Sequence, residues 1–164
     1  GPIAVRFPKK EFPAFDIAAA LKKPGKAGYN PFHAEILARG KDVLILSEGV
    51  FAEKALAARE ILLSSKISAE VMDVRSLKPL PGAQILKSLK GKKLIVTLEN
   101  HGLVGGLGDL TARLLRENDV VIKHRALGFP DEVVHHGSIG DIEKLYKLSP
   151  PDIAAMVKQV LKRR

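Results

Sequence analysis

The sequence predicts an α/β protein: a three-layer α/β/α sandwich built on a mostly parallel sheet. Three observations carry that expectation. Short, nearly continuous apolar runs recur at Val43–Leu46, Ala69–Val74 and Leu94–Leu98, as strands covered on both faces require. Segments with apolar residues at helical spacing follow them, such as Phe51, Ala55, Ala58 and Leu62, and these pack one face on a sheet. The resulting order, β-α-β-α-β-α-β-α, implies parallel strands joined by helical crossovers on both sides of the sheet.

Composition narrows the function classes. The chain has 164 residues, enough for one domain with a proper core. It has no cysteine, which excludes disulfides, thiolate zinc sites and cysteine nucleophiles. No run reaches the ~18 apolar residues of a membrane span and no signal peptide is visible, so no membrane partner is expected and the default compartment is cytoplasmic. The formal net charge is +9, which raises nucleic acid as a partner. The cations are spread along the chain, however, and cluster only at Lys90-Gly-Lys-Lys93 and Lys162-Arg-Arg164. The second cluster suits a helix C-terminus, and no aromatic-rich RNA-binding signature accompanies either. An anionic small-molecule substrate accounts for a basic surface equally well, and nucleic acid is not expected.

Taken in order, Ile3–Phe7 reads as a strand with almost no lead-in. Prolines 8, 13, 24 and 31 then punctuate a stretch without strong periodicity. A long structureless connection is rare inside a compact domain, so residues 1–7 are assigned to a different structural unit and 8–32 to a linker or wrapping segment. From residue 33 the pattern is regular. Ala34–Ala38 is a possible strand and Val43–Leu46 a buried one. A helix carries Phe51 to Leu62, and Ala69–Val74 is the next strand. Pro79-Leu-Pro81 ends it, and Ala83–Leu89 forms a short helix. Val120–His124 is expected as the last strand, with Gly128-Phe-Pro-Asp131 as a loop. Ser138 and Asp141 have capping-box spacing ahead of Ile142, Leu145 and Tyr146. Ser149, Pro150 and Asp152 cap a final helix whose buried face holds Ile153, Val157, Val160 and Leu161.

The stretch Leu94–Leu115 carries the candidate site. Glu99, Asn100 and His101 fall at the carboxyl end of a buried strand, where ligands and partners meet open α/β sheets. Gly102, Gly105, Gly106 and Gly108 follow, and Leu107, Leu110, Leu114 and Leu115 then mark a helix. The spacing G-x-x-G-G-x-G fits neither the dinucleotide fingerprint G-x-G-x-x-G nor a phosphate loop. Two readings of the turn stay open: close packing or an interface, and anion binding at the helix N-terminus. Glu99 and His101 are either an acid–base pair or hydrogen-bonding groups at an interface. Asp73 and Arg75, at another strand end, are expected to form an ion pair. The adjacent His135 and His136 have no third ligand at a recognisable spacing, so no metal site is expected.

Four segments in this order and spacing, DVLILSEGVFAEKALAAREIL, AEVMDVRSLKPL, LIVTLENHGLVGGLGDL and LGFPDEVVHHGS, resemble the C-terminal domain of the transketolase family over residues 33–164. Pro81 and Asp109 depart from the usual family pattern. The opening GPIAVRFPKK resembles the last strand of the preceding pyrimidine-binding domain in transketolases and 1-deoxy-D-xylulose-5-phosphate synthases, which assigns residues 1–7 to that domain. The resemblance implies a thiamine-diphosphate-dependent transferase that moves a two-carbon unit between phosphorylated sugars. In it, this domain supports a homodimer and packs on the catalytic domains or subunit of the same enzyme. It also implies that Arg6 grips a substrate phosphate, as a guanidinium fork does well, and that Glu99, Asn100, His101, Gly105 and Gly106 are interface or ligand-end residues. Thiamine diphosphate and Mg would sit on other domains, because the family's G-D-G…N motif is not in this sequence. This stretch would then be inactive alone. Two alternatives remain: a free-standing interaction or regulatory module with the same fold, and part of a 2-oxoacid dehydrogenase β subunit.

Overall fold

The computed structural model describes residues 1–5, 30, 32–134 and 136–162. The chain divides into two units, residues 1–31 and 32–164. In the first, residues 1–5 are exposed and form no strand. The strand expected over Ile3–Phe7 is therefore not formed by its first three residues, since an extended segment becomes a strand only by pairing with a neighbour. Arg6, Phe7 and nearly all of the expected linker lie outside the described residues.

The second unit is the expected three-layer sandwich. Its strands are β1 (Glu35–Ala38), β2 (Val43–Ser47), β3 (Ala69–Asp73), β4 (Leu94–Gly102) and β5 (Lys123–Phe129), and its helices are α1 (Phe51–Leu63), α2 (Gly82–Leu89), α3 (Leu107–Glu117), α4 (Ile139–Leu145) and α5 (Pro150–Lys162). The strand order is β1-β3-β2-β4-β5. β2 runs parallel to both β3 and β4, and β4 runs parallel to β5, while β1 closes one edge antiparallel to β3.

Side-chain alternation sorts the core into two layers. Val43, Ile45, Val71, Val96 and Leu98 face α1 and α5, meeting Ala55, Ala58, Leu62, Ile153 and Val157. Leu44, Leu46, Met72 and Ile95 face the other way, onto Ile85 and Leu89 of α2 and Leu107 and Leu115 of α3. β2 is buried along its whole length, as a central parallel strand must be. Each fully buried Leu or Ile removed from water contributes about 1.5–3 kcal/mol, so the sheet is held from both faces. The capping-box reading holds at α4: the Ser138 hydroxyl accepts from the Asp141 N–H at 3.2 Å and donates to its carboxylate at 2.6 Å. Ser149 and Asp152 make the same pair of bonds at α5.

The last strand differs from expectation. β5 starts at Lys123 and continues through Gly128 and Phe129, which had read as loop. Val121 is fully exposed and lies ahead of the strand. One face of β5 holds His124, Ala126 and Gly128, and on the other Leu127 and Phe129, both partly buried, pack on the core near the strand's end, so no long apolar run marks this edge.

Candidate functional site

The parallel strands end together, which brings the residue after each strand, or its last residues, to one rim. β2 ends at Ser47 with Glu48 next, β3 ends at Asp73, and β4 carries Glu99, Asn100 and His101 before Gly102. The centre of this rim is Glu99. It is fully buried, and its two oxygens accept hydrogen bonds from the backbone N–H of Leu107 at 2.7 Å and of Gly108 at 3.0 Å. Those are the first N–H groups of α3, which have no partner within the helix. The α3 N-cap, Gly106, supplies no side-chain bond. A glutamate from the neighbouring strand supplies it instead, with its charge against the positive end of the helix dipole.

The glycines are what allow this. A Cβ on Gly106 would lie 1.7 Å from Glu99 Oε2, with the Glu99 carboxyl carbon at 2.7 Å. Gly105 has φ +74°, the left-handed region that glycine adopts without penalty, and its N–H donates to Asp109 at 2.7 Å. The turn is thus a packed cradle around a carboxylate of the same chain. The anion-binding reading loses its donors, because Glu99 and Asp109 already occupy them.

Burial pushes the Glu99 carboxyl upward, the two backbone N–H bonds oppose the shift, and the charge of Glu48 adds to it while His101 opposes. Asp73 is also raised, first by burial and then by Glu48, against the Gly49 N–H. Glu48, which sequence reading did not single out, therefore loads both carboxyls. Its signal was available: it follows a buried strand directly. His101 is exposed and its Nδ1 meets the carbonyl of Gly102 at 2.8 Å, so it turns to its neighbour's backbone and Glu99 to the helix. The two share a rim without the direct bond that proton exchange between them requires. Asn100 is half-buried beside them.

The expected Asp73–Arg75 pair is present at 3.7 Å, and Arg75 also pairs with Glu35. His136 is exposed, and His135 lies outside the described residues. Among the described residues, no three His, Asp or Glu side chains are grouped so as to hold a metal. No described helix is long and apolar enough to cross a membrane. Arg6 lies outside the described residues.

A second buried glutamate was missed altogether. Glu70, in β3, is 4% exposed and pairs with Lys92 at 3.5 Å. A charge set inside the apolar run AEVMD, with a lysine cluster ahead of the next strand, was the available signal.

Residues 33–153 match the family model described as transketolase, C-terminal domain. A 1-deoxy-D-xylulose-5-phosphate synthase of Crocosphaera subtropica is 32% identical over 160 residues, 98% of this chain and 24% of its own length. A Methanocaldococcus jannaschii protein named "Putative transketolase C-terminal section" is 30% identical over 163 residues, 99% of this chain and 49% of its own. The chain therefore spans about a quarter of the synthase and about half of the archaeal section. Among solved structures, a split-gene transketolase described as an inactive β4 tetramer superposes with a TM-score of 0.75 at 30% identity, over 82% of this chain and 44% of that one. A Pichia stipitis transketolase shares the fold at a TM-score of 0.59 and 16% identity, over 78% of this chain and 18% of its own. With its five-stranded, mostly parallel sheet and a family match over most of its length, this chain belongs to the transketolase C-terminal domain family.

Proposed function

We propose that the chain is the C-terminal part of a thiamine-diphosphate-dependent transketolase-family enzyme that transfers a two-carbon unit between phosphorylated sugars, and that this part supports a homodimer and grips a substrate phosphate through Arg6. One observation carries the reading. The match to the synthase covers 98% of the chain, so it includes the opening segment that the family model, starting at residue 33, leaves out. The relatives share both the domain and the approach to it.

Among the described residues, the helix N-terminus lined by close glycines does not fit a diphosphate: it is filled by Glu99, and a diphosphate there would meet a carboxylate rather than free N–H groups. The cofactor accordingly belongs to other segments or to a partner, where it supplies the stabilised carbanion of the transfer. The rim at Glu99, Asn100 and His101 is the surface that would face those segments, and Glu99 keeps its strand–helix turn rigid there.

The test is an intact-mass measurement of the polypeptide in its source cells, with tightly bound partners identified, followed by an acceptor assay on the assembled enzyme. A longer chain, or a partner carrying G-D-G…N, supports the reading. A chain of this length with no such partner overturns it and favours the interaction module. In the assembled enzyme, Arg6→Ala raises KM for a phosphorylated acceptor about tenfold or more, the scale of a lost charged hydrogen bond, and changes it little for the unphosphorylated analogue. Equal effects on both would remove Arg6 from phosphate recognition.

A further inference from the structure

The loops at the amino end of the sheet, opposite the Glu99 rim, are tied together. Lys92 donates to the Gly40 carbonyl at 2.9 Å, Lys93 to Asp42 at 3.1 Å, and the Lys41 N–H to the Ser68 carbonyl at 3.0 Å. Lys123, at the start of β5, donates to the Val160 carbonyl near the end of α5 at 3.2 Å. One face therefore gathers the turn ahead of β2, the loops ahead of β3 and β4, and the end of α5.

That face is basic. Arg39, Lys41, Lys66, Lys87, Lys90 and Lys162 are exposed and make no ion pair among the described residues. Of the acids beside them, Asp42, Glu60, Glu70 and Glu117 are already paired, which leaves Asp119 against those cations. The carboxyl end instead carries Glu48, Asp73, Glu99 and Asp109, so the two ends of the sheet differ in sign. Cations suit helix C-termini, and Lys87 and Lys162 stand in last turns. Arg39 and Lys41 have no such reason, because they lie in a turn between two strands. Lys66 has φ +60°, so a lysine stands where the backbone favours glycine.

The same face narrows the partner. Its exposed apolar residues, Leu37, Leu63 and Val121, lie on β1, at the end of α1 and ahead of β5, and make no apolar centre of the kind a protein interface has. Single-stranded bases stack on aromatic rings, and the described aromatics, Phe32, Phe51, Phe129 and Tyr146, all belong to the carboxyl end. What remains suits a regular, dense line of charge. Four inter-strand spacings make the sheet about 19 Å wide, a span over which a duplex presents on the order of ten phosphates.

We propose that the amino end of the sheet binds the phosphate backbone of double-stranded nucleic acid without reading its sequence. Along the chain the cations are spread, and on that ground nucleic acid is not expected; folding gathers them on one face. The proposal does not rest on the transferase reading, whose rim is at the opposite end.

The test is fluorescence anisotropy of a labelled duplex of about 20 base pairs with the full 164-residue chain, between about 50 and about 200 mM salt. The expected result is saturable binding, equal for duplexes of unrelated sequence, whose log affinity falls with log salt at a slope of about −3 to −4, as about four phosphate contacts give. Arg39→Glu/Lys41→Glu weakens it about tenfold or more and cuts the slope by about 2. Lys66→Gly relieves the backbone, so it keeps the fold, and cuts the slope by about 1. Lys144→Glu/Lys147→Glu makes the same change in net charge as the first pair, at exposed positions of the carboxyl end beside the Lys54–Glu143 pair, and leaves the affinity within about threefold. No saturable binding at about 50 mM salt, equal weakening by the two double reversals, tighter binding to a single strand of the same length, or preference for phosphatidylserine vesicles over the duplex in competition would each overturn the proposal.

Discussion

Two glutamates are buried on the same face of one sheet, and they are handled in opposite ways. Glu70 and Glu99 both face the α2–α3 layer, on strands that flank β2. The register sets Glu70 level with Ile95, so Glu99 sits four residues further along, about 13 Å at the usual rise per residue. Glu99 has both oxygens bonded to backbone N–H groups, with glycine placed where a Cβ would collide with it. Glu70 has one oxygen on a lysine and the other on nothing. At the carboxyl end the chain meets the buried charge with backbone donors on both oxygens, whereas at the amino end a single lysine meets one oxygen.

The comparison can be broken most severely at the glycine cradle. Gly106→Ala puts a methyl 1.7 Å from Glu99 Oε2 and must expel the carboxylate or move the α3 start. Thermal or denaturant unfolding should show a loss of about 3–5 kcal/mol, the upper range for single substitutions. Glu99→Ala comes next. It leaves two buried N–H groups without acceptors and a cavity beside them, for about 2–4 kcal/mol. A loss under about 1 kcal/mol in either variant would mean the turn is not held by Glu99.

Glu99→Gln sharpens the same point through pH. The folded carboxyl is raised above its ordinary value, so its stabilising contribution is fully present below the unfolded value of 4.5 and is lost as pH rises through the folded value. The wild-type advantage over Glu99→Gln in Tm should therefore be largest in acid and shrink as pH rises. An advantage that grows with pH would reverse the sign of the shift. Glu70→Gln leaves the buried Lys92 ammonium without its counter-charge and is expected to cost about 3 kcal/mol in an unfolding measurement, although Lys92 keeps its bond to Gly40.

The smallest effect lies at the sheet edge. His124 is held below its ordinary value of 6.5, first by burial and then by Arg125, with Asp109 opposing. A depressed histidine contributes stability that is present above 6.5 and is lost as pH falls through its folded value. His124→Gln should flatten the fall of Tm below pH 6.5. An unchanged slope would show that His124 does not sense the interior, where its Nε2 stands 3.4 Å from the Thr97 hydroxyl.

The fold was legible where burial leaves an apolar signature. β2, β3 and the first half of β4 are runs that face a helix layer on each side, and α1 and α5 show their buried faces at helical spacing. β5 was misplaced because one of its faces holds His124, Ala126 and Gly128 and its core-packing apolar residues, Leu127 and Phe129, come only at its end, whereas the exposed Val121 ahead of it supplied a false apolar cue. At the site, Glu99 and its glycines were visible as a group, but their relation was not. Nothing local in the sequence says that a strand residue caps a helix eight positions later. Glu70 was harder still, since its meaning lies in Lys92, 22 residues away, which no local spacing encodes.

The most direct test is amide hydrogen exchange at Leu107 and Gly108 in the wild type and in Glu99→Ala. If Glu99 caps α3 from the neighbouring strand, exchange at these two amides speeds up in the variant far more than at the amides of β2. Unchanged exchange at Leu107 and Gly108 would contradict the account of the turn.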